Sequence, residues 1–339
     1  MPAECYPTFW APKSLSITTA IFSATFAGPA VIGNSLIVLA VICDPLKQLR
    51  SPFNYFLINL VASDMIVGCI TLPISVWAHI NESRGWYPED VMTIQHLSFF
   101  ISSTASILHL LMLSIDRYFL ITNAVLYRTH MSWKNCAKVS VVVWTVALCT
   151  PLLYPALGYI KYLMLHFHAF VLTCAATLLV NYVFVYKFLR RRTASMLSNR
   201  RDSEEPSSRG GSVRRGSERS DTSTVCRLYT KNLLIERKVT QTLLLILIMF
   251  VSSMLPATVM IYVLQFCETC PCNWRHVLRD IVFLSFPLCS AVNPIICLMR
   301  LRTIKTSLRR IFDRVWCVRR YRVASATVMA LAQITENMP

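Results

Sequence analysis

Asp116 and Arg117 stand side by side in SIDRYFLI, residues 114–121, where a long apolar run gives out. An acid and an arginine at such an edge can pair with each other, and the plainer arrangement is two interfacial charges that snorkel to water. Asp64, in NLVASD, reads as the only acid deep within an apolar run. Charge in a hydrocarbon setting is costly and by default marks function. Asn34 in GNSL, Ser106, and Ser290 and Asn293 in SAVNP lie in other apolar runs. Gathered around Asp64, they would form a polar cluster able to hold water or a small cation such as sodium; a hydrogen-bonded knot without an ion is the plainer arrangement.

The elements that must position these residues follow from composition. The 339 residues are 55% apolar and 15% charged, with only eight glycines, a balance foreign to soluble domains. Crossing a bilayer takes about 20 mostly apolar residues as a helix, since the hydrocarbon core is roughly 30 Å thick. Seven stretches qualify, near 17–42, 54–79, 91–120, 137–158, 162–188, 239–266 and 277–299. Backbone amides cannot stay unpaired in lipid, so each is expected to be helical, giving an all-α membrane protein.

If the N-terminus lies outside, 29 of the 34 Lys and Arg residues fall on the cytoplasmic side, which is the orientation the positive-inside rule selects. The net charge of +17 is then a topology signal. Nucleic-acid binding is not indicated, because the basic residues flank spans and line no single groove with aromatics. The first span has no basic region before it and no small-residue cleavage site after it, so it is expected to be retained.

This arrangement divides the rest of the chain. Residues 1–16 are expected outside, 17–299 in the bundle and 314–339 in a cytoplasmic tail. Residues 190–236 are rich in Ser, Arg and Glu and are expected to form a largely disordered inner loop. Within it Arg214 and Arg215 precede Ser217 at a spacing that suits basic-directed kinases. RLRTIKTSLRRIF alternates basic and apolar residues at helical spacing, so 300–313 reads as an amphipathic helix on anionic inner-leaflet lipids. Cys5, Cys267, Cys270 and Cys272 fall on the oxidising outer side, where disulfides among them are expected, in preference to a metal in CETCPC. Asn81 opens a glycosylation sequon in the first outer loop. His96, His166 and His168 lie near the outer mouth, where pH sensing or metal binding is the minor reading.

Seven spans with an outer N-terminus, together with GNSL, NLVASD, SIDRY, Trp144, Pro256 and NPIIC in that order, resemble the rhodopsin-like G-protein-coupled receptors over about residues 17–312. The resemblance implies a switch in which Asp116 and Glu236 hold Arg117, flanked by Tyr118, until the sixth helix swings out to admit a heterotrimeric G protein. Asn293 and Pro294 belong to the same switch. It also implies arrestin and receptor kinases as partners of the 190–236 loop, and a plasma-membrane location. SPFNYFLINLVASDM, DRYFLITNAVLYRTHM, Met92 in place of a cysteine, a short outer loop around 159–163, a fifth span without a central proline and last-loop cysteines look like the melanocortin, lysophospholipid, cannabinoid and adenosine group. In that likeness Cys5 pairs with one last-loop cysteine, and a second pair lies inside CETCPC.

The departures bear on ligand. Acids that melanocortin receptors use are replaced by Ile74, Met92 and His96, the adenosine-receptor asparagine by Ile261, and the amine-gripping aspartate of the third span by Phe99. By position, the outer cup is lined by Trp77, Phe99, Phe100, Ser103, Phe170, Met254, Thr258, Phe283 and Phe286, which suits a neutral apolar or lipid-like molecule. The sixth-span switch tryptophan is Met254 and the tyrosine after NP is Cys297, so a non-signalling scaffold or heteromer partner is the rival reading. No nucleophile with a base, Gly-rich phosphate loop or paired catalytic carboxylates points to an enzyme.

Overall fold

A computed structural model describes the backbone of residues 11–44, 51–86, 89–204 and 218–314, and the side chains in these stretches except at 124, 126, 128, 189, 192–204 and 218–237. Among the described residues, seven helices are long and apolar enough to cross a membrane: Lys13–Cys43, Pro52–Glu82, Glu89–Thr122, Trp133–Leu157, Tyr159–Phe188, Lys238–Phe266 and Cys272–Arg300. They pack as one bundle, the first span against the second and seventh, the third against the second, fourth and fifth, and the sixth against the seventh. Ile32, Val141, Leu179 and Val259 are among the large apolar side chains turned outward, as a lipid-facing surface requires.

Lipid is as apolar as leucine, so close packing, more than exclusion from water, must hold such helices together. Gly33 shows how close the approach is: a Cβ there would sit 2.7 Å from Cβ and Cγ of Pro294 in the seventh span. Gly68 in the second span is as tightly placed, with Val31 Cγ2 at 2.8 Å from the same imagined atom. Buried side chains form an inner cluster that includes Phe53, Leu60, Leu113, Ile246 and Cys297, and an outer one that includes Val67, Phe99, Ile107, Met254 and Phe286. Asp64 lies between Leu60 and Val67 in sequence, and so at the level where the two clusters meet.

Local signals explain several ends. Ser51 and Ser132 cap the second and fourth spans, each side chain accepting from a backbone amide three residues on at 3.4 Å. Gly158 joins the fourth and fifth spans by itself with φ of 76°, a left-handed conformation that favours glycine. Residues 159–163, expected to be an outer loop, are therefore the first turns of the fifth span. Asn81 likewise lies in the last turn of the second span, outside no helix, and its Nδ2 donates to Trp77 O at 2.8 Å. Helix also begins at Lys13, inside the stretch expected to precede the bundle.

The inner loop differs from expectation too. Helix continues from the fifth span to Glu204 and resumes at Glu218 ahead of the sixth, so much of 190–236 is helical. Propensity gives the reason: a helix nucleated in the membrane extends cheaply through Arg, Leu, Met and Glu. Residues 205–217, including Ser217, lie outside the described residues. After Leu301, residues 302–314 form the amphipathic helix, which buries Ile304, Ser307 and Leu308 and exposes Arg302, Lys305, Arg309 and Arg310. Ser307 Oγ donates to Ala40 O at 3.0 Å, fastening it to the first span.

Candidate functional site

At the inner end of the third span, Asp116 and Arg117 are both buried. Neighbours on a helix point about 100° apart, so the arginine must curl back to reach its partner. It does so with Nε 2.9 Å and Nη2 2.5 Å from Asp116 Oδ2. The guanidinium carbon also lies 4.6 Å from the centre of the Phe53 ring, within cation–π range. Oδ1 of Asp116 is buried without a hydrogen-bond partner among the described residues, so the acid has an acceptor in reserve. Tyr118 packs beside Ile121 and Val185. The side chain of Glu236 lies outside those described.

Nearly three helical turns deeper, at the level of Ser106, Asp64 is fully buried and accepts from Ser290 Oγ at 2.8 Å, Ser106 Oγ at 3.4 Å and Asn293 Nδ2 at 3.2 Å. Asn34 reaches this group through backbone: its Nδ2 donates to Ala30 O at 2.7 Å and to Ser290 O at 3.4 Å. Oδ1 of Asn34 has no partner among the described residues. The second, third and seventh spans thus meet on one carboxylate, and the first is drawn in by Asn34.

In the outer half, the Phe99 ring centre lies 5.6 Å from both Phe283 and Phe286 and 5.3 Å from Phe100. Met254 is buried in the same cluster, and Thr258 bonds back to Met254 O at 2.8 Å. Ser103 Oγ is 3.0 Å from His166 Nε2, and Phe170 lies against His166. His166 is the residue just before a π-helical segment, Phe167–Leu172, and π-bulges recur at functional sites. Trp77 stands apart, 44% exposed with its ring against Trp86. His96 bonds Tyr154 and His168 bonds Tyr262, and the three histidines do not converge with one another.

Buried acids also lie toward the span ends, away from the mid-span Asp64. Near the outer ends of the first, second and seventh spans, Arg279 Nη2 is 3.3 Å from Glu82 Oε1 and its Nε is 2.8 Å from Asp280 Oδ1. Ser16 donates to Glu82 at 2.9 Å and Thr19 to Asp280 at 2.7 Å. His79 lies 3.8 Å from Asp280 and leads on to Ser75 and Ser23. All of these groups are buried. A signal for them exists in the sequence: Ser16, Thr19 and Ser23 in one helix and Ser75, His79 and Glu82 in another keep helical spacing, drawing a polar stripe down each apolar span.

The last outer loop is fastened by a Cys267–Cys270 disulfide, and Cys272 is disulfide-bonded as well. Cys5 lies outside the described residues. Arg275 turns onto the end of the sixth helix, donating to the carbonyls of Leu264, Cys267 and Cys270.

Residues 33–160 match the family model of the seven-transmembrane receptors of the rhodopsin family. Similar stretches occur in a 5-hydroxytryptamine receptor 2B of Dichotomyctere fluviatilis, 33% identical over 137 residues, covering 40% of this chain and 28% of that one. A dopamine receptor 2 of Drosophila melanogaster is 35% identical over 123 residues, 36% of this chain and 22% of its own. The human histamine H4 receptor is 32% identical over 136 residues, 40% of this chain and 34% of its own. The chain therefore aligns with about a third or less of the length of these relatives. Over residues 33–160 the chain is thus similar to the rhodopsin-like seven-transmembrane receptors, and its described residues include seven helices long and apolar enough to cross a membrane. The three relatives carry amine names, and none of them comes from the melanocortin, lysophospholipid, cannabinoid and adenosine group.

Proposed function

We propose that this chain sits in the plasma membrane with its N-terminus outside and converts binding of an extracellular small molecule into activation of a heterotrimeric G protein. The observation that carries the reading is the latch at the inner end of the third span, where Arg117 is held by Asp116 and Phe53. Opening the sixth span would release the arginine to a G protein, and the basic inner face suits both that partner and anionic lipids. Arrestin and receptor kinases, meeting the 190–236 loop, belong to the same reading.

The cluster around Asp64 would act as the hinge between the two halves of the bundle. Its carboxylate, the hydroxyls of Ser106 and Ser290, and the unpartnered Oδ1 of Asn34 are oxygens of the type a sodium ion takes. A cation held there would favour the closed packing. The ligand's apolar body would occupy the aromatic cup of Phe99, Phe283 and Phe286, in keeping with a mostly apolar pocket.

Ligand-free G-protein activation in cultured cells tests this. The chain is expressed beside Arg117→Ala at matched surface level, against sensors for each G-protein class. Activity above background that vanishes in the variant is the expected result. Silence across all sensors and under a broad ligand screen would favour a scaffold, a reading that the replacements Met254 and Cys297 also suit.

A further inference from the structure

One helical turn outward from the aromatic cup, the bundle holds a polar cavity. Gln95 precedes Phe99 by four residues and Asp280 precedes Phe283 by three, so both stand about 5 Å nearer the outer surface. Gln95, His96, Tyr159, Arg279 and Asp280 line a cavity there, with Phe283 leading down to the cup. Gln95 is 2% exposed, and its Oε1 has no hydrogen-bond partner among the described residues. A buried carbonyl oxygen without a donor is costly, so this one calls for a donor.

Charge says which donor. Histidines aside, and among the described residues, the buried network sets two carboxylates, Glu82 and Asp280, against the guanidinium of Arg279. Arg275, buried in the same span, is turned away onto loop carbonyls. Arg279 directs Nε and Nη2 at the two acids, so its charge is engaged within the network. The cavity wall adds aromatic faces: His96 is stacked on Tyr159 at 4.2 Å, and Phe99 meets Phe283 at 5.6 Å. Excess negative charge, an acceptor lacking a donor and π faces together favour a cation that carries N–H groups.

The geometry points to a subsite for an organic ammonium group, donating to Gln95 Oε1 and the Asp280 carboxylate while the ligand's apolar body reaches into the cup. This rests on the reading of the chain as a receptor with a ligand in that cup. It supplies a counter-ion on the seventh span where the third span presents Phe99.

The test uses the full-length protein in lipid nanodiscs and follows thermal unfolding. The probes are 2-phenylethylamine and tryptamine, each beside its neutral alcohol, 2-phenylethanol or tryptophol, with 3-phenylpropionate as the anionic control. The expected result is a saturable rise in Tm with an amine that its alcohol does not give, weakened about tenfold in concentration dependence by Gln95→Leu. Asp280→Asn should weaken it at least as much. Where that variant fails to fold, Gln95→Leu still decides, because no bond of the charged network runs through Gln95. Equal shifts from amine and alcohol, no shift from either amine, a shift from the carboxylate instead, or an amine effect unchanged in Gln95→Leu would overturn the proposal. Unfolding needs no G protein, so these failures count against the subsite alone, whereas the signalling reading stands or falls with Arg117→Ala.

Discussion

Arg279 carries two buried carboxylates on one guanidinium, and this makes it a consequential side chain for stability. Truncating one member of a buried ionic group strands the others, at a typical cost of about 3–5 kcal/mol. Arg279→Ala should therefore lower the unfolding temperature of the purified protein sharply, and Lys161→Ala, an exposed position, should leave it nearly unchanged. A loss for Arg279→Ala no larger than for Lys161→Ala would show that the network is not ordered. At this scale Asp64 was legible in the sequence, because an acid inside NLVASD has only apolar surroundings to explain. Glu82 and Asp280 were not, because they lie close to span ends, where charges ordinarily snorkel to water. What distinguishes them is the polar stripe on the neighbouring helices, visible only when two spans are read together. Arg117 was legible for a different reason: its neighbour in sequence is also its partner in space.

Helix approach governs the elements. Gly33→Ala would place a methyl 2.7 Å from a proline ring in the seventh span, where a ring locked into a helix has little freedom to yield. Overpacking of this kind costs about 1–3 kcal/mol. Gly28, five residues earlier in the same helix, has nothing within 4 Å of its imagined Cβ. Gly28→Ala should stabilise by about 0.5–1 kcal/mol through helix propensity alone. Opposite shifts in unfolding temperature for the two variants are the expected outcome; shifts of the same sign would contradict the packing of the first span on the seventh. Gly158→Ala should destabilise by about 1–2 kcal/mol because it forces a side chain into the left-handed region. The seven spans were legible, since twenty apolar residues leave few alternatives. The helical run at 190–204 was not: composition reports whether a segment can bury apolar surface, and says nothing of a helix inherited from the membrane beside it.

Across the whole molecule, two apolar clusters are stacked one above the other with Asp64 at their junction, the arginine latch below and the aromatic cup above. On the proposed function, binding in the cup would reach the latch by changing how the seven helices pack, because packed cores switch between discrete arrangements. The polar junction is where such a change is cheapest, since its hydrogen bonds can be exchanged for others. The most direct test is nucleotide exchange with purified parts: the full-length protein in nanodiscs, mixed with purified G-protein heterotrimers of each class, with GTP uptake timed with and without it. Faster uptake by at least one class, lost on Arg117→Ala at equal folded protein, is what the latch predicts. Uptake that no heterotrimer shows, or that Arg117→Ala leaves intact, would contradict it.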